Sequence, residues 1–216
     1  MSDLNENEIL NKVDEIDTNA GNQPTPDRSP SKKLLGLIDY AELFVIAICV
    51  VILLFSLVFR TCNVDGDSMN QTLINGETLI ISDFAYTPKR GDIVVFHQTG
   101  KVNMPLVKRV IGVAGDTVTV NVNTWEVTIT DKDGNTVTLD EDYIYIDKYD
   151  THRLSSVNGG VHMYVVPEGS LFVLGDNRNN SMDSTDSYNI GFVDEDIILG
   201  KVLFRVSPIS KFGAVN

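Results

Sequence analysis

The sequence has few of the residues that hold metals or form disulfides. Among its 216 residues there are two cysteines, and its three histidines lie far apart, at His97, His152 and His162. No spacing of cysteine and histidine resembles a zinc site, so we expect neither a metal nor another cofactor. Cys49 lies inside an apolar run and Cys62 just after it, and a disulfide between them would have to bridge most of a helix. No disulfide framework therefore supports the chain.

Basic residues are also scarce. Lysine and arginine together number 17 against 30 acidic residues, which gives a formal net charge of −13. Binding of nucleic acid requires clustered lysine and arginine to neutralise phosphates, so this composition argues against nucleic acid as a partner. The apolar fraction of 43% and the charged fraction of 22% are typical of a globular chain with a hydrophobic core.

Only one long apolar run is present. Residues 40–59 read YAELFVIAICVVILLFSLVF, and no charge follows Glu42 within the run. As a helix from Ala41 the run spans about 28 Å, close to the thickness of a bilayer core. A cleavable signal peptide would have a shorter apolar core followed by a small-residue cleavage site, and a buried helix of a soluble protein would show a polar face. Neither alternative fits, so we predict a transmembrane helix over residues 36–60.

The flanks of this helix predict its orientation. Arg28, Lys32 and Lys33 precede it, whereas Arg60 alone lies directly after it. The positive-inside rule then predicts a plasma-membrane protein whose N-terminus is cytoplasmic and whose residues 61–216 are extracytoplasmic. Residues 1–35 are mostly polar, and we expect them to form a mostly disordered cytoplasmic tail.

After residue 60 the pattern changes to short runs of alternating apolar and polar residues, which is typical of antiparallel strands. The candidate strands are 78–81, 92–96, 106–113, 117–122, 126–130, 136–139, 143–146, 164–166, 170–174 and 200–206. Asp133-Gly134-Asn135, between two of these runs, predicts a hairpin. Long helical patterns and repeats do not occur in this part of the sequence. We therefore predict a mainly β domain built from antiparallel sheets.

Four short motifs follow the apolar run in order. They are Gly66-Asp67-Ser68-Met69-x-x-Thr72-Leu73, Arg90-Gly91-Asp92-Ile93-Val94-Val95-Phe96, Lys108-Arg109-Val110-Ile111-Gly112-Val113-Ala114-Gly115-Asp116 and Gly175-Asp176-Asn177-Arg178-Asn179-Asn180-Ser181-Met182-Asp183-Ser184. In this order, after a single membrane segment, the motifs closely resemble the boxes of type I signal peptidases, which are membrane-bound Ser-Lys endopeptidases. The resemblance covers roughly residues 36–208. Gly66 and the single segment are similar to the Gram-positive branch.

The resemblance implies a fold and a function. The fold is a transmembrane helix followed by an antiparallel β catalytic domain, with a β insertion over residues 117–170. The function is removal of N-terminal signal peptides from secreted precursors through an acyl-enzyme, with precursor proteins and membrane lipid as partners.

The resemblance also implies roles for single residues. Ser68 matches the nucleophile, Lys108 the general base, and Ser181 the serine that hydrogen-bonds and orients the lysine. Met69 matches the residue that packs beneath the substrate site. The residues that match polar groups bracing the site are Asp176, Arg178 and Asp183.

A lysine base needs unusual surroundings, because only the neutral amine accepts a proton and the free pKa is about 10.4. Desolvation disfavours the charged form, and Lys108 lies within an apolar run that suits this requirement. Alternation along a strand sends Lys108 and Arg109 to opposite faces. Lys108 can therefore face the site while Arg109 braces it elsewhere.

Acyl transfer also needs donors for the oxyanion and a surface for the substrate. The Ser68 N–H is the first candidate donor, and Gly66, which lacks a hydroxyl, is a candidate for a second backbone donor. The resemblance implies small residues at two alternate positions of the substrate, and an extended peptide sends such positions to one face. Candidates for shallow pocket walls are Ile74, Leu79 and Ile80.

Two positions depart from the pattern of the family. Gln71 stands where a proline is usual, which removes the restraint that proline puts on the backbone. Thr185 stands where an arginine often follows the Asp-Ser pair, so a brace or salt bridge is expected to be lost.

Two other functions share parts of this pattern. A self-cleaving regulator would use the same Ser-Lys fold, but such proteins carry a DNA-binding domain and no membrane segment. A non-enzymatic relative could act in assembling pili or surface proteins. Such relatives tend to lose the serine or the lysine, and Ser68 and Lys108 are both present.

Overall fold

The structure is a computed structural model that describes residues 32–100, 102–146 and 160–215. The first 31 residues of the predicted tail, with Arg28, lie outside the described residues. The chain divides into two compact units, Met1–Val50 and Val51–Asn216. Cys49 and Cys62 are both free thiols, as their spacing predicted.

A long helix, α1 (Lys32–Val58), contains the apolar run up to Val58. It begins before the predicted residue 36, because Lys32 to Leu35 are good helix formers, and it ends two residues before the predicted residue 60. Its side chains over residues 37–57 are exposed. The stretch Leu37–Val58 is long and apolar enough to cross a membrane.

Twelve β-strands follow the helix in the described part of the chain. They are β1 (Arg60–Asn63), β2 (Thr78–Ser82), β3 (Ile93–Phe96), β4 (Leu106–Gly112), β5 (Thr117–Asn121), β6 (Glu126–Thr130), β7 (Thr136–Thr138), β8 (Val161–Val165), β9 (Ser170–Leu174), β10 (Val193–Asp194), β11 (Ile198–Ser207) and β12 (Gly213–Ala214). Two single-turn 3₁₀ helices, Glu195–Ile197 and Ile209–Lys211, flank β11.

The strands form two antiparallel sheets. The larger sheet has the order β1-β2-β11-β3-β4-β9-β10, with β12 paired to β11, and the smaller has the order β7-β6-β5-β8. The four strands of the smaller sheet fall within the predicted insertion, residues 117–170. The mainly β, antiparallel fold predicted from alternation is therefore confirmed.

The central strands of the larger sheet are buried on both faces. Every residue of β3 and β9 is buried, as is every residue of β4 after Leu106. On one face Val107 joins a core that includes Met69 and Leu79. On the other face Val94 and Val110 join a core that includes Ile190. A polar side chain on β4 is therefore withdrawn from water whichever way it points.

Nine of the ten predicted strands occur, and one does not. Residues 143–146 form no strand, because only Tyr145 makes a bridge, a parallel one to Asn177. The sequence did not indicate β1, whose residues Arg-Thr-Cys-Asn lack an apolar alternation. The strands β10 and β12 were also missed, since two residues are too few for a period.

Candidate active site

Ser68 lies in a loop that joins β1 to β2. Within this loop the Asn70 N–H donates to the Asp67 carbonyl at 3.0 Å, and the Leu73 N–H donates to the Met69 carbonyl at 2.8 Å. Met69 and Leu73 are buried in the core beneath the loop, whereas Ser68 is half-buried. The loop thus presents the serine hydroxyl at the surface of a turn whose apolar side chains are fixed in the core.

Lys108 lies on β4 and reaches the serine. Its Nζ is 2.7 Å from Ser68 Oγ and 2.9 Å from the Val107 carbonyl oxygen. Only 1% of Lys108 is exposed, so it is not the solvated strand lysine that its position in the sequence would also have allowed. A hydroxyl and an amine in hydrogen-bond contact, with the amine withdrawn from water, form a pair that can carry out acyl transfer.

Arg109 leaves β4 on the opposite face and contacts Asp176 with two hydrogen bonds, Nε to Oδ1 at 2.9 Å and Nη2 to Oδ2 at 2.8 Å. Burial lowers the pKa of Arg109, but the hydrogen bonds and charge of Asp176 outweigh burial and raise it above its ordinary value. Asp176 Oδ2 also accepts the Thr72 hydroxyl at 2.5 Å. Arg109 therefore contacts the Ser68 loop through Asp176 and Thr72, four residues after the serine.

The segment after β9 packs directly against the same loop. The Asn177 N–H donates to the Ser68 carbonyl at 3.0 Å, and Asn177 Nδ2 donates to the Asp67 carbonyl at 3.1 Å. A Cβ on Gly175 would lie 2.5 Å from the Ser68 carbonyl oxygen, so the approach requires glycine. The backbone around Ser68 is therefore held by residues about 110 positions away in the chain.

Residues 37–207 match the family described as signal peptidase, peptidase S26. Signal peptidase I T of Bacillus subtilis is 32% identical over 190 residues, covering 86% of this chain and 93% of that protein. Signal peptidase IB of Staphylococcus aureus is 33% identical over 188 residues, covering 82% and 92%. A crystal structure of a signal peptidase I from Enterococcus faecalis is 28% identical and covers 54% of this chain and 97% of that one, with a TM-score of 0.40. The chain belongs to the peptidase S26 family of signal peptidases.

Membership in this family supplies the reaction class. The protein is a serine endopeptidase of the type I signal peptidase kind, which removes N-terminal signal peptides from secreted precursors. In the described part of the chain, no group of three or more His, Cys, Asp or Glu side chains could hold a metal ion.

Arg178 is a fully buried cation in this signal peptidase. Its guanidinium donates to both Glu141 carboxylate oxygens, at 3.0 and 2.5 Å, and to the Gly175 carbonyl at 3.2 Å. The Tyr143 hydroxyl donates to the same Glu141 at 2.6 Å, and its ring lies 3.9 Å from the Arg109 guanidinium carbon. Burial, and then Glu141, raise the pKa of Tyr143. Residues 141–145 therefore cover both arginines.

Asp183 fastens the segment that carries Gly175. Its Oδ2 accepts the Gly175 N–H at 3.1 Å, and its Oδ1 accepts the Thr185 N–H at 3.2 Å and the Thr185 hydroxyl at 2.7 Å. Thr185, which stands where the family often has arginine, therefore donates hydrogen bonds to this carboxylate.

Ser181 differs from its predicted role. Its Oγ is buried and has no hydrogen-bond partner among the described residues, so the expected bond to Lys108 is absent. The hydroxyl instead fills the space beside Gly175, where a Cβ would lie 2.1 Å from it.

Two of the predicted substrate contacts also need correction. Leu79 is fully buried in the core and cannot line a surface pocket, because alternation along β2 sends Leu79 inward and Ile80 outward. The Gly66 N–H donates to Asn75 Oδ1 at 3.3 Å, so it is not an uncommitted oxyanion donor. No described residue accepts a hydrogen bond from the Ser68 N–H. Ile74 is 39% exposed and Ile80 is half-buried.

Several residues at the site carried no predicted role. They are Thr72, Glu141, Tyr143 and Asn177. Thr72 and Asn177 lie within two of the four motifs, and their positions there were the available signal. Glu141 and Tyr143 had no such signal, since their segment resembled an ordinary strand.

Proposed function

We propose that Ser68 is the nucleophile and Lys108 the general base of this signal peptidase. The observation that carries the proposal is the 2.7 Å separation of Lys108 Nζ from Ser68 Oγ in a buried setting. Burial disfavours the ammonium form of a lysine, and only the neutral amine can take a proton from a serine hydroxyl.

The reaction follows from this pair. The Lys108 amine takes the hydroxyl proton as Ser68 Oγ attacks the carbonyl carbon of the scissile bond, and the Ser68 N–H donates to the developing oxyanion. The Lys108 ammonium then gives its proton to the departing amine of the mature protein, which leaves the signal peptide esterified to Ser68. Water, deprotonated by Lys108, hydrolyses the ester and restores the hydroxyl.

Four charged residues position the site without contacting the substrate: Asp176, Arg178, Asp183 and Arg109. Through their hydrogen bonds they fix Thr72 and Gly175, and thereby the backbone on either side of the contact between Ser68 and Lys108. A displacement of about 1 Å between reacting groups can cost about 100-fold in rate, so such bracing affects turnover directly.

The substrate binds as an extended strand beside the Ser68 turn, with small side chains at two alternate positions. Main-chain hydrogen bonds supply its register, and Ile74 and Ile80 are candidates for shallow walls that exclude large side chains. In a peptide series varied only at the last and third-last residues before the cut, small residues at both should allow cleavage. Leu or Phe at the last residue should lower kcat/KM by about tenfold or more.

The middle residue of the same peptides supplies the control, because its side chain points away from the protein. Leu at this position should leave the rate within about twofold of the parent peptide. Efficient cleavage with Leu or Phe directly before the cut would contradict the pocket, even if Ser68 proved to be the nucleophile.

The catalytic domain, residues 61–216, lies outside the plasma membrane, with the Leu37–Val58 stretch of α1 as the span and residues 1–35 in the cytoplasm. The supports are the apolar stretch Leu37–Val58 and the excess of basic residues before it. Such a span also holds the site near the bilayer lipid, where a precursor's own apolar segment raises its local concentration.

Protease added to intact spheroplasts or protoplasts should therefore digest the C-terminal domain and spare the N-terminal tail. Lysed cells, in which both segments become accessible, provide the control. Digestion of the tail together with protection of the domain would reverse the orientation.

A further inference from the structure

The loop that carries Ser68 is closed at its base by the backbone. The Val64 N–H donates to the Glu77 carbonyl at 2.8 Å, and the Gly76 N–H donates to the Val64 carbonyl at 2.9 Å. The Glu77 side chain, which is almost completely buried, also accepts the Ile74 N–H at 3.1 Å. Glu77 therefore fixes the end of the loop through both its main chain and its side chain.

A single arginine on β11 joins this end of the loop to the carbonyl of Thr72. Arg205 Nη1 donates to Glu77 Oε1 at 2.8 Å, and Arg205 Nη2 donates to the Thr72 carbonyl at 3.1 Å. Thr72 is thus held twice, since its hydroxyl donates to Asp176. The Thr72 hydroxyl is bound by Asp176, the partner of Arg109, and the Thr72 carbonyl is bound by Arg205 of β11.

The pairing of β11 is irregular on both sides of Arg205. The pairing of β11 with β2 is irregular between Val202 and Phe204 and again between Arg205 and Ser207. Irregularities of this kind redirect side chains and are common beside active sites. Arg205 pairs with Leu79, a core residue, and its guanidinium contacts the Ser68 loop, which leaves 15% of the side chain exposed.

We infer that Arg205 and Glu77 are positioning residues for catalysis, holding the Ser68 loop at the geometry in which Oγ meets Lys108. The inference rests on the proposed roles of Ser68 and Lys108. Neither residue lies in the four motifs, and neither contacts Ser68 or Lys108 directly. They act through Thr72 and Ile74, which follow the serine in the same turn.

The contacts of Arg205 favour positioning over simple stabilisation of the fold. Its Nε is buried and has no hydrogen-bond partner among the described residues, an arrangement that disfavours stability. Buried ion pairs are in general weak stabilisers of a fold compared with apolar packing. The planar guanidinium of Arg205 instead fixes the distance between the Glu77 carboxylate and the Thr72 carbonyl.

The test compares full-length variants in detergent by kcat, KM and melting temperature on a precursor peptide. Arg205→Lys keeps the positive charge beside Glu77 but lacks the planar fork that spans both acceptors. Glu77→Gln keeps an acceptor for the Ile74 N–H but loses the charge. Each should lower kcat about tenfold with KM within about twofold, and each variant should stay folded at the assay temperature. Glu77→Gln should also lower the melting temperature, because it leaves the Arg205 guanidinium without its carboxylate partner. The double variant should lose no more than the worse single variant, because the two act as one unit.

Lys211→Ala is the matched control. Lys211 lies 3.5 Å from the same Glu77 oxygen but is 44% exposed and makes no contact with Thr72, so its removal should leave kcat within about twofold.

Normal kcat in both Arg205→Lys and Glu77→Gln would overturn the inference, as would a loss that appears only in KM or only as unfolding. If Arg205→Lys does not fold, Glu77→Gln alone decides. Ser68→Ala tests the dyad separately from the positioning role. If Ser68→Ala is inactive while Arg205→Lys and Glu77→Gln both have normal kcat, only the positioning role is rejected. If Ser68→Ala is active, the dyad itself is rejected.

Discussion

Replacing either Ser68 or Lys108 by alanine should abolish precursor cleavage and leave the domain folded. The two groups act as one unit, because the hydroxyl is a poor nucleophile without the base and the base has no substrate without the hydroxyl. The loss of kcat should reach about 10⁴-fold or more, and the double variant should be no worse than either single variant. The measurement is cleavage of a precursor by the full-length protein, with circular dichroism melting to verify folding.

Lys108 is buried, so its truncation to alanine also removes packing. Lys108→Met keeps most of the volume without the amine and should be equally inactive. Lys132→Ala and Ser210→Ala, both at exposed positions, remove the same two chemical groups elsewhere and should keep normal turnover. Near-normal turnover in Ser68→Ala, Lys108→Ala or Lys108→Met would show that the dyad is assigned wrongly.

Gly175→Ala should also lower activity strongly, although it removes no chemical group. The new Cβ would lie 2.1 Å from Ser181 Oγ and 2.5 Å from the Ser68 carbonyl oxygen, distances that real Cβ atoms do not adopt. Overpacking of a buried site costs about 1–3 kcal/mol of unfolding free energy. Displacement of the Ser68 backbone should lower kcat by about 100-fold. Kinetics and thermal melting on the same preparation measure both effects.

A second substitution separates these two effects. Gly175→Ala combined with Ser181→Gly removes the contact with the serine side chain, so stability should partly recover. Activity should stay low, because the Cβ still meets the Ser68 carbonyl. Gly213→Ala is the control: a Cβ there has no atom within 4 Å, and both stability and turnover should stay normal. Full activity in Gly175→Ala would mean that the segment after β9 does not hold the nucleophile.

The sequence predicted the strands that carry the chemistry, because their patterns are local. The runs that became β3, β4 and β9 are strongly apolar, and residues inside such runs are buried on both faces. Lys108 stood out through its motif, because a lysine in a strand is also compatible with a solvated side chain. Its apolar neighbours suited the desolvation that a lysine base requires. Ser68 stood out through its motif and not through its burial.

Other parts of the site depend on contacts that have no local pattern. The aromatic run 143–146 has strand propensity, but Tyr143 packs on Arg109 and only Tyr145 forms a bridge. Arg205 lies in a run that has an ordinary strand pattern, and nothing local indicates that its guanidinium contacts the Thr72 carbonyl of the Ser68 loop. Leu79 was placed in the pocket because it is near Ser68 in the chain, yet the alternation of β2 turns it into the core. Nearness in sequence says little about which face a side chain takes.

The position of β11 in the larger sheet has a consequence for when the enzyme becomes active. The strands β2 and β3 are consecutive in the chain but do not pair, because β11 lies between them, with Val202 beside Ile81 and Lys201 beside Val94. Ribosomes make β11 last among these strands, and pairing over such a separation is slow. A chain still in synthesis thus contains the serine and the lysine without the strand that joins their halves of the sheet. Proteolytic competence then requires that β11 has been made and paired, so a copy that still lacks this strand is kept from cutting other proteins.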